Sequence, residues 1–312
     1  MERRSLSKLG MDNFMRKNGE LKMNQRQPIY RRLIECSLAF ALLAGVATPA
    51  RSQTMLPPGD LDRLVSRIAL YPDPLLAQVL SAATYSDQIP EAAKWADQHH
   101  YLTGDALAAA ISGDHLPWDP SVQALLPFPS VLETMAADMG WTTQLGNAVL
   151  AQRGDVMDAV QRMRRKARDF GYLRTGPTVV VGAGPFITIL PVNPDFYCVP
   201  VYDPGIVFLA PRPGFAIATG INFGFGITIG AAFRPWGWGG VRMAWDTHGW
   251  FVGDRVWGRT WANRATYVHP YGLPHYEAGR RVETHELIER SAKEREAARL
   301  GHDRAVEEHH HH

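Results

Sequence analysis

The sequence predicts an α+β protein, and three observations carry that class. A proline-punctuated stretch, Ala69-Leu70-Tyr71-Pro72-Asp73-Pro74-Leu75-Leu76, returns 55 positions later as Ala124-Leu125-Leu126-Pro127-Phe128-Pro129-Ser130-Val131. Each copy runs into apolar residues at helical spacing, so the N-terminal half reads as a duplicated all-helical module. Near residue 175 the composition turns to Val, Gly, Pro and aromatics in short β-branched runs, which read as strands. Beyond residue 277 charge dominates, which reads as a helix or a disordered tail. The expected division is residues 1–52 as leader and signal peptide, 53–175 as the duplicated helical domain and 176–211 as a short β-strand region. Residues 212–276 form a Gly/Trp-rich region and 277–312 the charged tail.

Leu33–Ala50 is apolar, follows Arg31 and Arg32, and leads into Ala50-Arg51-Ser52, which fits small-x-small with a cut before Gln53. The run is shorter than the ~20 residues that a spanning helix needs. A second leader start is available at Met23, and residues 1–22 read as an upstream extension without structure. Export to the periplasm or cell envelope is therefore expected. Cys36 leaves with the leader, so Cys198 remains alone and no intrachain disulfide can form; in the apolar run Phe196–Val199 it reads as a buried structural thiol. Residues 1–52 hold ten of the 33 basic and four of the 31 acidic residues, leaving 23 against 27, a net charge of −4. That balance removes the electrostatic case for nucleic acid.

In the helical half, Leu61, Leu64, Val65, Ile68 and Ala69 mark one apolar face across Asp60–Tyr71. Asp73 is expected to cap the next helix with Pro74 at its first position; Leu75, Leu76, Val79, Leu80 and Ala83 form its face. Tyr85–Pro90 reads as a break, Glu91–His99 as a helix with Trp95 inward, and Asp105–Ile111 as another. Asp119 and Pro120 repeat the cap logic. In the second copy Trp141–Leu145 takes the place of Tyr85–Ile89, and Asp155–Asp169 closes the array, with Gly171 as its stop. Asp60, Asp62, Asp73, Asp87, Asp119, Asp155 and Asp158 invite a catalytic reading, but several precede proline or open helices, which is what capping requires. No catalytic residues are assigned. The basic run Arg162, Arg164, Arg165, Lys166 and Arg168 reads as a solvated helix end favoured by the helix dipole, with contact to anionic envelope components as the other reading.

The runs IALYPDPLLAQVL, PWDPSVQALLPFP, WTTQLGNAVLAQ and DVMDAVQRMRRKA occur in this order. From Leu61 to Val207, ending in Pro200-Val201-Tyr202-Asp203-Pro204, the chain resembles the bacterial exported-protein family catalogued as domain of unknown function 3300. The resemblance implies an envelope protein without an established activity and supplies no catalytic residue or cofactor.

Thr178–Val181 and Phe186–Leu190 read as a hairpin across Gly182–Pro185, and Phe196–Tyr202 and Ile206–Leu209 as further strands divided by the turn Asp203-Pro204-Gly205. Pro200 points to an edge strand or strand end. Gly182-Ala183-Gly184 lacks the third glycine and following helix of a dinucleotide fingerprint. Gly214–Phe233 carries no charge, and its bulky residues fall on odd positions: Ile217, Ile221, Phe223, Ile227 and Ile229 among them. A period of two means strand, while Gly220/Gly224 and Gly226/Gly230 also fit small-xxx-small helix packing in lipid; strand is the preferred reading, and membrane association through residues 214–233 stays open. Trp238, Trp245, Trp250 and Trp257 fall in a twelve-residue repeat with expected turns at Gly239-Gly240 and Gly253-Asp254. These four indoles are the candidate binding residues, suited to packing, an envelope interface or sugar stacking. Asp246, His248, His269, His275 and His285 lack a metal-ligand spacing, and His285-Glu286 lacks the second histidine of a zincin helix, so no metal or cofactor is assigned.

These readings predict a non-catalytic exported envelope protein acting as a structural or interaction module, its partner an envelope protein or membrane surface. The alternative is a protein that binds or acts on cell-wall glycan through the Trp-rich region.

Overall fold

Proline sets where the helices begin. The structure, a computed structural model, describes residues 54–214, 217 and 220–273. Helices α1 (Pro58–Val65), α2 (Asp73–Ala83), α3 (Ile89–Gln98), α5 (Pro120–Gln123) and α6 (Pro129–Ala137) each carry proline in the first two positions, where a missing N–H costs nothing. Helices α4 (Gly104–Gly113) and α7 (Met139–Asp169) complete the helical half. The leader, Cys36, His275, His285 and the charged tail lie outside the described residues.

Asp119 caps α5 as expected: its side chain accepts from Ser121 N–H, and Pro120 follows at the first position. Asp73 does not cap. It is the first residue of α2, Pro74 is the second, and no side chain caps this helix. The elements after the two proline copies also differ. A 3-10 turn (Ser86–Gln88) and α3 follow α2, whereas α7 follows α6 after Asp138 alone. Trp141–Leu145 is helical, not a break; the interruption falls at Gln152, with φ −145° and ψ 50°. At this break the Gln152 side chain holds the segment before α1, accepting from Leu56 N–H at 2.7 Å and donating to Leu56 O at 3.1 Å. Gly171 ends α7 with φ +83°, its N–H donating to Arg168 O and that of Tyr172 to Ala167 O, which satisfies the last carbonyls.

Among the described residues the strand-rich half forms three small antiparallel sheets: β1 (Val179–Val181) with β2 (Ile189–Pro191); β3 (Phe196–Tyr202) with β4 (Ile221–Thr228); and β5 (Val241–Ala244), β6 (Gly249–Val252) and β7 (Arg255–Val256) in that order. The register shifts between Cys198 and Pro200, a bulge where proline lacks its donor. Residues 221–228 are strand, and the bulky side chains of Ile221, Phe223 and Ile227 pack against the core. Among the described residues no helix is long and apolar enough to cross a membrane.

Two strand expectations fail. Residues from Pro204 form a single helical turn, α8 (Pro204–Val207), because Asp203 Oδ1 accepts from Gly205 N–H at 2.7 Å and Pro204 is set for a first helical position. Gly239-Gly240 does not join two strands; a 3-10 helix, Ala231–Trp236, precedes it, and the turn into β6 is made at Trp245–Thr247 with His248 at φ +53°. Gly253-Asp254 does turn β6 into β7.

One continuous core runs from Leu61 to Leu273. Helices α1 and α2 lie along α7, and α3 lies on α6. At the α2–α7 crossing a Cβ on Gly146 would sit 2.0 Å from Ala83 O, so glycine is what lets the two backbones approach.

Candidate functional site

The most polar point of the core is the pair Asp73–Arg164. Arg164 has no exposed surface and Asp73 is 3% exposed. Arg164 Nη1 donates to Asp73 Oδ1 at 2.6 Å and to Ile187 O at 2.7 Å, Nε to Ala69 O at 2.8 Å, and Nη2 to Tyr71 O at 2.9 Å. Asp73 Oδ1 also accepts from Ile189 N–H at 3.2 Å, and Oδ2 from Trp245 Nε1 at 3.0 Å. The Arg164 guanidinium lies 4.9 Å from the Trp245 ring centroid. A buried charge pair is tolerable only when its remaining donors and acceptors are met, and here the loop carbonyls and the indole meet them. The arrangement binds α2, α7, β2 and the Trp245 turn; it offers neither group to a substrate. Sequence reading placed Asp73 as a cap and Arg164 in a solvated basic run. Within that run Arg164 is buried while Arg165, Lys166 and Arg168 are exposed.

Glutamines on apolar helix faces act as backbone substitutes. Gln161 Oε1 accepts from Ile187 N–H at 2.8 Å and its Nε2 donates to Ile187 O at 3.0 Å. Gln123 Nε2 donates to Leu116 O and Trp118 O, while its Oε1 accepts from Trp236 Nε1 at 3.0 Å. Gln78 donates to Trp236 O, and Gln88 accepts from Asp119 N–H. These side chains satisfy loop groups that burial would otherwise orphan.

The four candidate binding tryptophans are all core residues: Trp238 is 2% exposed, Trp245 5%, and Trp250 and Trp257 0%. Trp238 Nε1 donates to Ala124 O at 2.9 Å and Trp250 Nε1 to Ser81 Oγ at 2.9 Å, while Trp250 and Trp257 stack at 4.9 Å. A stacking platform for sugar needs an open ring face, and none of these four has one. Their partners on α2 and before α6 explain the placement: the indoles fill space between helices. Arg153 lies 5.3 Å from the Trp250 ring and 4.9 Å from that of Trp257 and donates to Trp257 O and Arg259 O; burial holds its guanidinium below the usual arginine range. Arg259 sits 3.6 Å from the Tyr85 ring and donates to Thr84 O.

Other ionisable groups pair locally. Asp62 meets Arg162 at 2.7 Å, Asp138 meets Arg67 at 2.9 Å, and the exposed pair His248–Asp158 meets at 2.8 Å. Asp138 also accepts from Trp141 N–H; that bond first and Arg67 second hold its carboxyl below the usual range. Asp246 accepts from Thr247 N–H at 3.0 Å. Among the described residues no group of three His, Cys, Asp or Glu is placed to hold a metal ion. Cys198 is buried, and burial pushes its thiol up, away from nucleophilic character.

A cleft of about 430 Å³ opens between the α3–α4 corner and β4. His99, His100, Thr103 and Leu107 form one wall, Gly226, Ile227 and Thr228 the other, with Leu126, Pro127, Pro129 and Phe233 between. His99 stacks on Trp95 at 3.8 Å and its Nδ1 lies 2.7 Å from Trp95 O, so that nitrogen carries the proton and Nε2 faces Asp114 Oδ2 at 4.0 Å. Sequence reading missed this cleft because its walls lie more than a hundred positions apart.

The family model described as "Protein of unknown function (DUF3300)" matches residues 58–267. The chain belongs to this family. It is 33% identical over 230 residues to "Uncharacterized protein YacH" of Escherichia coli (strain K12), a match covering 59% of this chain and 37% of that protein. The chain thus spans little more than a third of that relative's length. No solved structure matches it.

Proposed function

We propose that the protein is an exported component of the bacterial cell envelope that works as a structural or interaction module and not as an enzyme. The observation that carries this reading is the internal use of its polar and aromatic chemistry: Asp73, Arg164 and the four tryptophans are engaged with the chain's own backbone and rings. What such a molecule offers outward is surface. The apolar leader Leu33–Ala50 followed by Ala50-Arg51-Ser52 supports export. Its partner would be an envelope protein or the membrane surface.

Cell fractionation with N-terminal sequencing tests the reading. The expected result is a mature chain beginning at Gln53 outside the cytoplasm. An intact chain retaining residues 1–52 in the cytosol overturns it.

A further inference from the structure

We infer that the open edge of β4 is a docking site for an extended peptide, which pairs with it as an additional strand and lays side chains into the adjoining cleft. Among the described residues sheet β3–β4 has two strands. Ile229 N–H donates to Asp195 O at 2.7 Å. In an antiparallel ladder, bonding residues alternate with residues that face away. Ile227, opposite Tyr197, therefore bonds to β3, and Gly226 and Thr228 turn both N–H and C=O outward. Among the described residues no backbone group of another element bonds to these outward groups.

The outward side is the cleft. Gly226 and Thr228 direct their substituents to one face of the sheet and Ile227 to the other, yet all three line the cleft. The element they share is the strand edge, so the edge itself forms the wall. Two donors and two acceptors repeating every second residue match the main chain of an extended peptide, the pattern used in strand addition. The opposite wall lies across the cleft, with His100 and Thr103 exposed on it. A volume of about 430 Å³ suits side chains of a short segment. The inference deepens the interaction-module reading by naming a partner class, and its test in vitro is independent of where the protein resides.

A random peptide library displayed on phage is selected against the purified full chain, and an enriched peptide is synthesised. Thr228→Pro deletes one outward donor, which an edge position tolerates. Thr103→Trp fills the cleft from the facing wall without touching the sheet; Thr103 makes no capping hydrogen bond. Each substitution is expected to weaken binding about tenfold or more with the far-UV circular dichroism unchanged. Amide exchange at Thr228 is expected to be fast in the chain alone and slowed by the peptide, with Ile227 and Ile229 slow in both. The proposal falls if no peptide is enriched, if neither substitution weakens binding, or if the Thr228 amide is already slow before peptide is added. Cytosolic location in the fractionation experiment would overturn export and leave this result standing.

Discussion

Asp73 shows how one residue type can satisfy two incompatible readings. Asp between prolines at a helix start has the form of a cap, and Asp119 fills that role. Asp73 instead turns inward to Arg164, Ile189 N–H and the Trp245 indole. The two outcomes differ in what lies beyond the helix end, which local sequence does not hold: the partners of Asp73 come 91, 116 and 172 positions later. Removing one member of a buried pair leaves the other charged and unmet, so Asp73→Ala is expected to cost about 3–5 kcal/mol, read as a lowered urea midpoint. Asp119→Ala, a cap loss, is expected to cost about 1 kcal/mol. His269 supplies a pH-dependent contribution. It is 4% exposed, and both ring nitrogens are without hydrogen-bond partners among the described residues. Burial, partly opposed by the charge of Asp119, holds its pKa below 6.5. The unfolded chain takes up this proton near pH 6.5 while the native chain resists it, so this contribution is full above pH 6.5 and declines as pH falls toward the native pKa. The unfolding free energy from urea titrations is expected to fall between pH 7 and pH 5.5, by at most about 1.4 kcal/mol per pH unit from this group, and His269→Phe is expected to flatten that part of the profile.

At the scale of elements, helix starts were legible because proline and apolar spacing act locally. α1, α3, α4 and α5 begin within about two residues of their expected positions. The junction of α6 with α7 was not, because continuation through Trp141–Leu145 depends on Asp138 capping from the side and on the Trp141 indole reaching Leu64 O at 2.8 Å. Strand β4 was legible from its period of two; the loss of the expected strand after Asp203 reflects a capping bond to Gly205 that overrides β-branched composition. Gly146 carries the clearest element-level prediction. A methyl group there would collide with Ala83 O on α2, and backbone cannot give way as a side-chain end can. Gly146→Ala is expected to destabilise by about 1–3 kcal/mol even though alanine raises intrinsic helix propensity. Gly113→Ala, where nothing lies within 4 Å of the added carbon, serves as the control and is expected to be neutral or stabilising.

For the whole molecule, the change in composition near residue 175 does not coincide with a change of core. The described residues from Met55 onward belong to one compact unit, and indoles from the Gly/Trp-rich region bond to the helical half at Ser81, Gln123 and Ala124. The sequence distinguishes helix from strand by period, but it carries no local sign that the indoles of Trp236, Trp238, Trp245 and Trp250 would bond to the helical half more than a hundred residues earlier. Helical and strand-rich parts are therefore expected to unfold together. Far-UV circular dichroism, dominated by the helices, and tryptophan fluorescence, weighted toward the strand-rich half, should give coincident urea transitions. Trp250 is fully buried, stacked on Trp257 and bonded to Ser81 on α2. Trp250→Ala is expected to remove about 3–5 kcal/mol and to lower both transitions equally. A fluorescence transition that moves while the helical transition stays in place would mean that the two halves fold independently, and that the indoles only rest against helices able to stand without them.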